Sequence, residues 1–171
     1  MGLDMYQEFL QEAQKRQRAR AFIQGNVVKL PFPTKAFDCT YSFDVLEHVD
    51  DEAAIEEMAR VTVQRLILTV PKEDETFPRF GLTFFHYQDQ THLRYYTEAS
   101  LSRLLSRISY SHVSLFPELV IPTKAMLLAM LEPGKSSLLR RVHYHLMKSL
   151  INERSFRTIY AGLVAVVDLG H

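Results

Sequence analysis

The run Arg65-Leu66-Ile67-Leu68-Thr69-Val70, closed by Pro71, constrains the fold more than any other feature of the chain. It is nearly continuous in apolar residues, the pattern of a strand buried on both faces of a sheet. Upstream of it, Asp50-Asp51-Glu52 places negative charge at the start of a helix, where the helix dipole favours it. That helix runs to about Val61, with Ala54, Ile55, Met58 and Ala59 facing inward. Further upstream, Phe37 to Phe43 reads as another strand. Strand, helix, strand at this spacing predicts a parallel sheet with crossover helices, and so an α/β fold.

The flanking segments can be read the same way. From Tyr6 to about Ala19, Tyr6, Phe9, Leu10 and Ala13 follow helical spacing and polar residues fill the other face, which predicts an amphipathic surface helix. Ala21-Phe22-Ile23 is a short strand stopped by Gly25-Asn26, and the prolines of Leu30-Pro31-Phe32-Pro33 exclude both helix and interior strand. From Lys72 to Tyr96 runs a long loop rich in aromatic residues and histidine, a composition that points to function. Thr97 can cap the next helix, whose stripe is Leu101, Leu104, Leu105 and Ile108. His112 to Phe116 and Gly162 to Leu169 read as strands. Between them, residues 118–160 form a helical insertion broken at Pro133-Gly134, within one domain spanning 1–171. The second helix of the insertion begins near Ser136 or Ser137. It carries Leu139, Val142, Leu146 and Leu150 on one side, with Arg140, Arg141 and Lys148 among the rest.

Composition narrows the classes of function. Twenty basic residues balance twenty acidic ones, so no global charge draws the chain to nucleic acid or anionic membrane. Neutrality gives little colloidal repulsion, which leaves room for a homodimer. The single cysteine, Cys39, excludes an internal disulfide; its strand setting predicts a buried, inert thiol, and a cysteine-poor chain fits a reducing, cytoplasmic compartment. No basic stretch followed by an apolar one opens the chain, so no signal peptide is expected. The longest strongly apolar run, Ala125 to Leu131, falls far short of the ~20 residues needed to span a bilayer.

Four pieces then occur in a telling order: Gly2-Leu3-Asp4-Met5; Leu30-Pro31-Phe32 followed by Ala36-Phe37-Asp38-Cys39; Asp44-Val45-Leu46-Glu47-His48-Val49; and Gln90-Thr91-His92-Leu93-Arg94-Tyr95-Tyr96-Thr97. Together they resemble the class I S-adenosylmethionine-dependent methyltransferases, in the branch with small-molecule and lipid-type acceptors. The resemblance covers about residues 2 to 116 and the last strand. It implies a Rossmann-like sheet, mostly parallel with an antiparallel last strand and flanked by helices. It also implies S-adenosylmethionine as cofactor and methyl transfer to a small-molecule or lipid-like acceptor.

The site residues follow from the same resemblance. Asp4, at a strand end, would accept hydrogen bonds from the cofactor ribose; as an alternative it caps the helix that follows. Asn26 stands where the family has an acid facing the adenine amino group, and it reads equally well as a plain turn residue. Met5 and Val27 would flank the adenine ring or belong to the core. Phe43 and Asp44 would border the methionine part of the cofactor, and His48 would contact cofactor or acceptor or act as a structural hydrogen bonder. Tyr87, His92, Tyr95 and Tyr96 would line the acceptor pocket, with His86 as the acceptor-side base; His92 and Arg94 have a second reading as braces for the loop. Glu47 is expected to order its turn. A zinc site from His86, His92 and His112 lacks cysteine partners and a recognised spacing, so no metal is expected.

No G-x-G-x-x-G-like run occurs in the sequence, and the resemblance begins at the end of the family's second strand. The chain therefore reads as incomplete on its N-terminal side, a fragment or an incomplete gene model. The alternative function is a catalytically inactive, methyltransferase-like fragment serving as an interaction or oligomerisation module. The apolar face of the insertion suits a lid over the pocket or a dimer surface better than peripheral contact with a membrane.

Overall fold

Asp50 and Thr97 start the two helices that cover the main sheet. The Asp50 carboxylate accepts from the backbone amide of Ala53 at 3.1 Å, and Thr97 closes a reciprocal capping box with Ser100. The computed structural model describes residues 1–73, 88–122, 124, 128, 138–150 and 158–170. In chain order they form β1 (Gly2–Asp4), α1 (Gln7–Lys15), β2 (Phe22–Gln24), β3 (Phe37–Phe43), a 3-10 turn (Leu46–His48) and α2 (Asp51–Val61). There follow β4 (Thr62–Pro71), α3 (Glu98–Leu105), β5 (His112–Ile121), α4 (Leu138–Leu150) and β6 (Ile159–Asp168). Two compact units result, Met1–Pro117 with Gly162–His171, and Glu118–Ala161.

The first unit is an α/β structure. β3, β4, β6 and β5 lie side by side in that order, while β1 and β2 pair as a separate parallel ribbon. β3 runs parallel to β4, and β6 is antiparallel to β4 from Arg65↔Asp168 to Pro71↔Gly162. This is the mostly parallel α/β arrangement expected, with its antiparallel last strand. Pro117 sits within β5 without disrupting a ladder interior, because β5 is an edge strand.

One face of β4 presents Leu66, Leu68 and Val70, each at most 1% exposed. Leu163, Ala165 and Val167 of β6 join them, covered by Ala54, Ile55 and Met58 of α2 and Leu101 and Leu105 of α3. Burial of each large side chain contributes roughly 1.5–3 kcal/mol. The other face of β4 differs from the sequence expectation: Ile67 and Thr69 are only partly covered, so the strand is fully buried on one face.

The same open face corrects the reading of Cys39. It is exposed, and so are Tyr41 and Phe43, which share its side of β3 at the two-residue strand period. Three boundaries also shift. α1 stops at Lys15, where Gln17 takes a left-handed φ of 52°. β5 continues to Ile121 and β6 begins at Ile159, so both ends of the segment expected as helical insertion are strand. The Pro133-Gly134 break and the start near Ser136 lie outside the described residues.

The Leu30–Pro33 segment is held by α2. Glu57 accepts from the amide of Leu30 at 2.8 Å, while Arg60 donates to the carbonyls of Phe32 at 2.8 Å and Leu30 at 3.1 Å. The side chains thereby supply partners that a proline-broken segment cannot find in a ladder. In the second unit, α4 exposes Leu139, Val142 and Leu146 as one stripe. No helix among the described residues is long and apolar enough to cross a membrane.

Candidate active site

Parallel strands place ligand-binding residues at their carboxyl ends. Asp4 ends β1, and its Oδ1 accepts from the amide of Tyr6 at 2.8 Å, an Asx-type turn that aims the chain into α1. Asn26 lies just past β2, where its Oδ1 accepts from the amide of Val28 at 3.1 Å and its carbonyl from Lys29 at 3.1 Å, which shapes the turn there. Val27 is partly buried against the core, and Met5 is 48% exposed. Phe43 ends β3 with 61% of its surface open.

Asp44 follows with φ 50°, a left-handed conformation that Asp tolerates better than most residues. Thr69 of β4 fixes it, its hydroxyl donating to Asp44 Oδ1 at 3.0 Å. From this turn the chain enters the 3-10 turn, in which Leu46 and Glu47 are wholly buried.

The loop at 88–96 closes onto that turn. The amide of Leu93 donates to the Glu47 carbonyl at 2.8 Å, and Arg94 donates to the carbonyls of Val49 at 2.6 Å and Leu46 at 3.1 Å, as well as reaching Asp51 at 3.2 Å. Arg94 is therefore the brace that the sequence suggested. Tyr96 is 2% exposed, its hydroxyl donating to Asp51 Oδ2 at 2.8 Å and its backbone bonded to Pro71 and Glu73. The expectation of Tyr96 as pocket lining gives way to a core position, because its ring completes the cover over β4.

What these contacts assemble is a cluster of Glu47, His48 and His92. The rings of His48 and His92 meet edge to face at 4.6 Å, and Tyr95 stands against His92 at 5.5 Å. Nδ1 of His48 lies 2.9 Å from Oγ1 of Thr91, which donates to Asp89 Oδ1 at 2.6 Å. Thr91 holds the Asp89 carboxyl below its ordinary range through its hydroxyl and its amide. Burial lowers the pKa of His92, with His48 adding to the effect, and burial raises that of Tyr95. Glu47 is the extreme case: burial pushes its carboxyl up to about 7, with Asp44 and Asp89 acting in the same direction. Beyond a contact with its own backbone amide, which pulls the other way, neither carboxylate oxygen has a hydrogen-bond partner.

His86 and Tyr87 lie outside the described residues. His112 is on β5, paired with Ser114 at 2.9 Å, and takes no part in the cluster. Sequence reasoning missed Glu47 as a chemical group and missed the Asp89–Thr91–His48 chain. The adjacent Glu47-His48 pair between apolar residues was the available signal for the first.

A methyltransferase-domain family model matches residues 1–67. No curated protein matches the chain. Among solved structures, a SAM-dependent methyltransferase from Thermotoga maritima aligns with 99% of this chain and 73% of its own length, at 15% identity and a TM-score of 0.64. One from Archaeoglobus fulgidus aligns with 98% of this chain and 74% of its own, at 12% identity and a TM-score of 0.66. A phosphoethanolamine N-methyltransferase from Haemonchus contortus, solved in complex with S-adenosyl-L-methionine, aligns with 99% of this chain and 43% of its own, at 14% identity and a TM-score of 0.59. At such identities the structural likeness establishes the fold, a Rossmann-like methyltransferase fold. The family model thus covers the first part of the chain, 67 of 171 residues, and the Haemonchus contortus neighbour shares the fold with S-adenosyl-L-methionine bound. The residues present fit S-adenosylmethionine: Asp4 offers a carboxylate at a strand end, and exposed Met5 and Phe43 offer apolar surface to a ring and an aliphatic chain.

Proposed function

We propose that this protein transfers a methyl group from S-adenosylmethionine to a small-molecule or lipid-like acceptor, with the aromatic and histidine-bearing loop on the acceptor side. The observation that carries the reading is Asp4, a carboxylate closing a parallel strand inside the segment matched by the methyltransferase-domain family. When bound, S-adenosylmethionine supplies a methyl group already activated by its sulfonium, so the protein's task is chiefly alignment. Asp4 would accept from a ribose hydroxyl through the oxygen not used by Tyr6. Asn26 would meet the adenine amino group, with Met5 and Val27 beside the ring. Phe43, Asp44 and His48 would border the methionine portion.

On the acceptor side, His92 packs against His48 of the 3-10 turn and Tyr95 against His92, and His86 and Tyr87 precede them in the sequence. His86 would take the acceptor's proton where the acceptor carries one. One neighbour is a phosphoethanolamine N-methyltransferase, which supports an acceptor of that general size. The reading includes a cytoplasmic location, which the free cysteine fits, and treats residues 118–160 as an insertion.

Isothermal titration with S-adenosylhomocysteine tests this directly. The unaltered protein should bind it, and Asp4→Asn should weaken binding by about 10- to 100-fold, the worth of a charge-assisted hydrogen bond of roughly 1.5–3 kcal/mol. Absence of any binding heat, with the fold intact by circular dichroism, would overturn the reading.

A further inference from the structure

We infer that Glu47, His48 and His92 form a binding site for one divalent first-row transition cation. The inference stands on geometry and is independent of the methyl-transfer reading. One potential ligand atom from each residue lies within 4.8 Å of the other two. Bonds of about 2.0–2.2 Å to a cation place neighbouring ligand atoms roughly 3–3.5 Å apart, so small side-chain rotations close the set.

Three further observations point the same way. Glu47 is wholly buried, and no group beyond its own backbone amide answers either carboxylate oxygen. A buried carboxylate is retained at a cost unless a cation or donor compensates it. His48 is already set in the tautomer that a ligand needs. The Thr91 hydroxyl spends its proton on Asp89 and the Thr91 carbonyl, 3.3 Å from Nδ1, can only accept, so Nδ1 of His48 carries the hydrogen. Its Nε2, 3.9 Å from Glu47 Oε1, therefore presents a lone pair toward the carboxylate. An imidazole oriented through its other nitrogen by a carboxylate-linked partner is the usual outer support of a metal-binding histidine. Finally, the side chain of His92 is only 8% exposed, so the site is walled on that side.

Two imidazoles and one carboxylate select zinc, iron(II), cobalt(II) or manganese(II) over calcium or magnesium, and leave positions for water or an oxygen of a bound molecule. The test uses chelator-treated protein carrying Cys39→Ser, which removes the exposed thiol as a competing ligand. Zn2+ is titrated calorimetrically, and Co2+ absorption reports nitrogen–oxygen coordination. We expect one cation per chain. His48→Ala, His92→Ala and Glu47→Gln should each weaken it on the order of 100-fold, since even outer-support changes cost 10- to 100-fold. Thr91→Val, which leaves all three ligands in place, should weaken it roughly tenfold. Circular dichroism of each metal-free variant separates lost ligands from lost fold. Failure of the parent to bind stoichiometrically, or unchanged affinity in folded His48→Ala and His92→Ala, would overturn the site. Titration of the metal-free protein with S-adenosylhomocysteine reads the methyl-transfer proposal separately.

Discussion

The imidazole of His48 donates through Nδ1 to Thr91, 43 residues away, at 2.9 Å. This bond joins the turn after β3 to the loop after β4, and it settles which nitrogen of His48 faces Glu47. A fixed tautomer is an observable quantity. Nitrogen chemical shifts of His48 should show the Nδ1–H tautomer of the neutral ring, and Thr91→Val should yield a mixture of both tautomers. An unchanged spectrum in that variant would mean that another group orients the ring.

Glu47 gives the protein a characteristic pH dependence. Its folded pKa of about 7 lies above the ordinary value of 4.5, so between these the native state binds a proton that the unfolded chain has released. Stability attributable to this residue is fully present below about pH 4.5 and declines as pH rises toward 7. The loss is roughly 3 kcal/mol by linkage. Denaturant titration of metal-free protein at pH 5 and pH 7.5, compared with Glu47→Gln, isolates the effect. The variant should lack this decline, and parallel pH profiles for the two proteins would show that Glu47 ionises normally.

Much of this architecture is legible in the sequence. The crossover of β3, α2 and β4 follows from apolar runs and from Asp50, and α3 from Thr97 and its leucine stripe, because periodicity and caps are local signals. The cluster is not local. Glu47 reads as a polar turn residue until the loop at 88–96 closes over it through Leu93 and Arg94, and only that tertiary closure makes it a buried acid. Tyr96 deceived the sequence reading for a similar reason: its aromatic neighbours suggest a pocket, whereas the ring belongs to the core. The helical pattern near Ala19 failed at Gln17, whose left-handed turn no apolar spacing reveals.

Loop closure over the turn rests in part on the hydroxyl of Tyr96. Tyr96→Phe removes its hydrogen bond to Asp51 but keeps the ring that seals β4, and Arg94 still answers the carboxylate. The cost should therefore fall near the lower end of a buried hydrogen bond, about 1 kcal/mol, measured by urea denaturation. Thr97→Ala should cost a similar amount, about 1 kcal/mol, by opening the capping box of α3. A loss of several kcal/mol from either change would mean that the loop and helix unfold as one unit.

Cys39 reports on the open face of the sheet. It shares that face with Tyr41 and Phe43, whose rings stack at 6.1 Å, and apolar side chains so exposed invite a covering layer. The thiol gives a direct reading of whether one forms. With nothing over β3, a maleimide should label Cys39 completely in native protein, at a rate within about tenfold of that in denaturant, since the exposed sulfur is as accessible as in the unfolded chain. The rate should also be independent of protein concentration. Slowing as concentration rises would show that a second copy covers the face, and protection at every concentration would place another part of the same molecule over it.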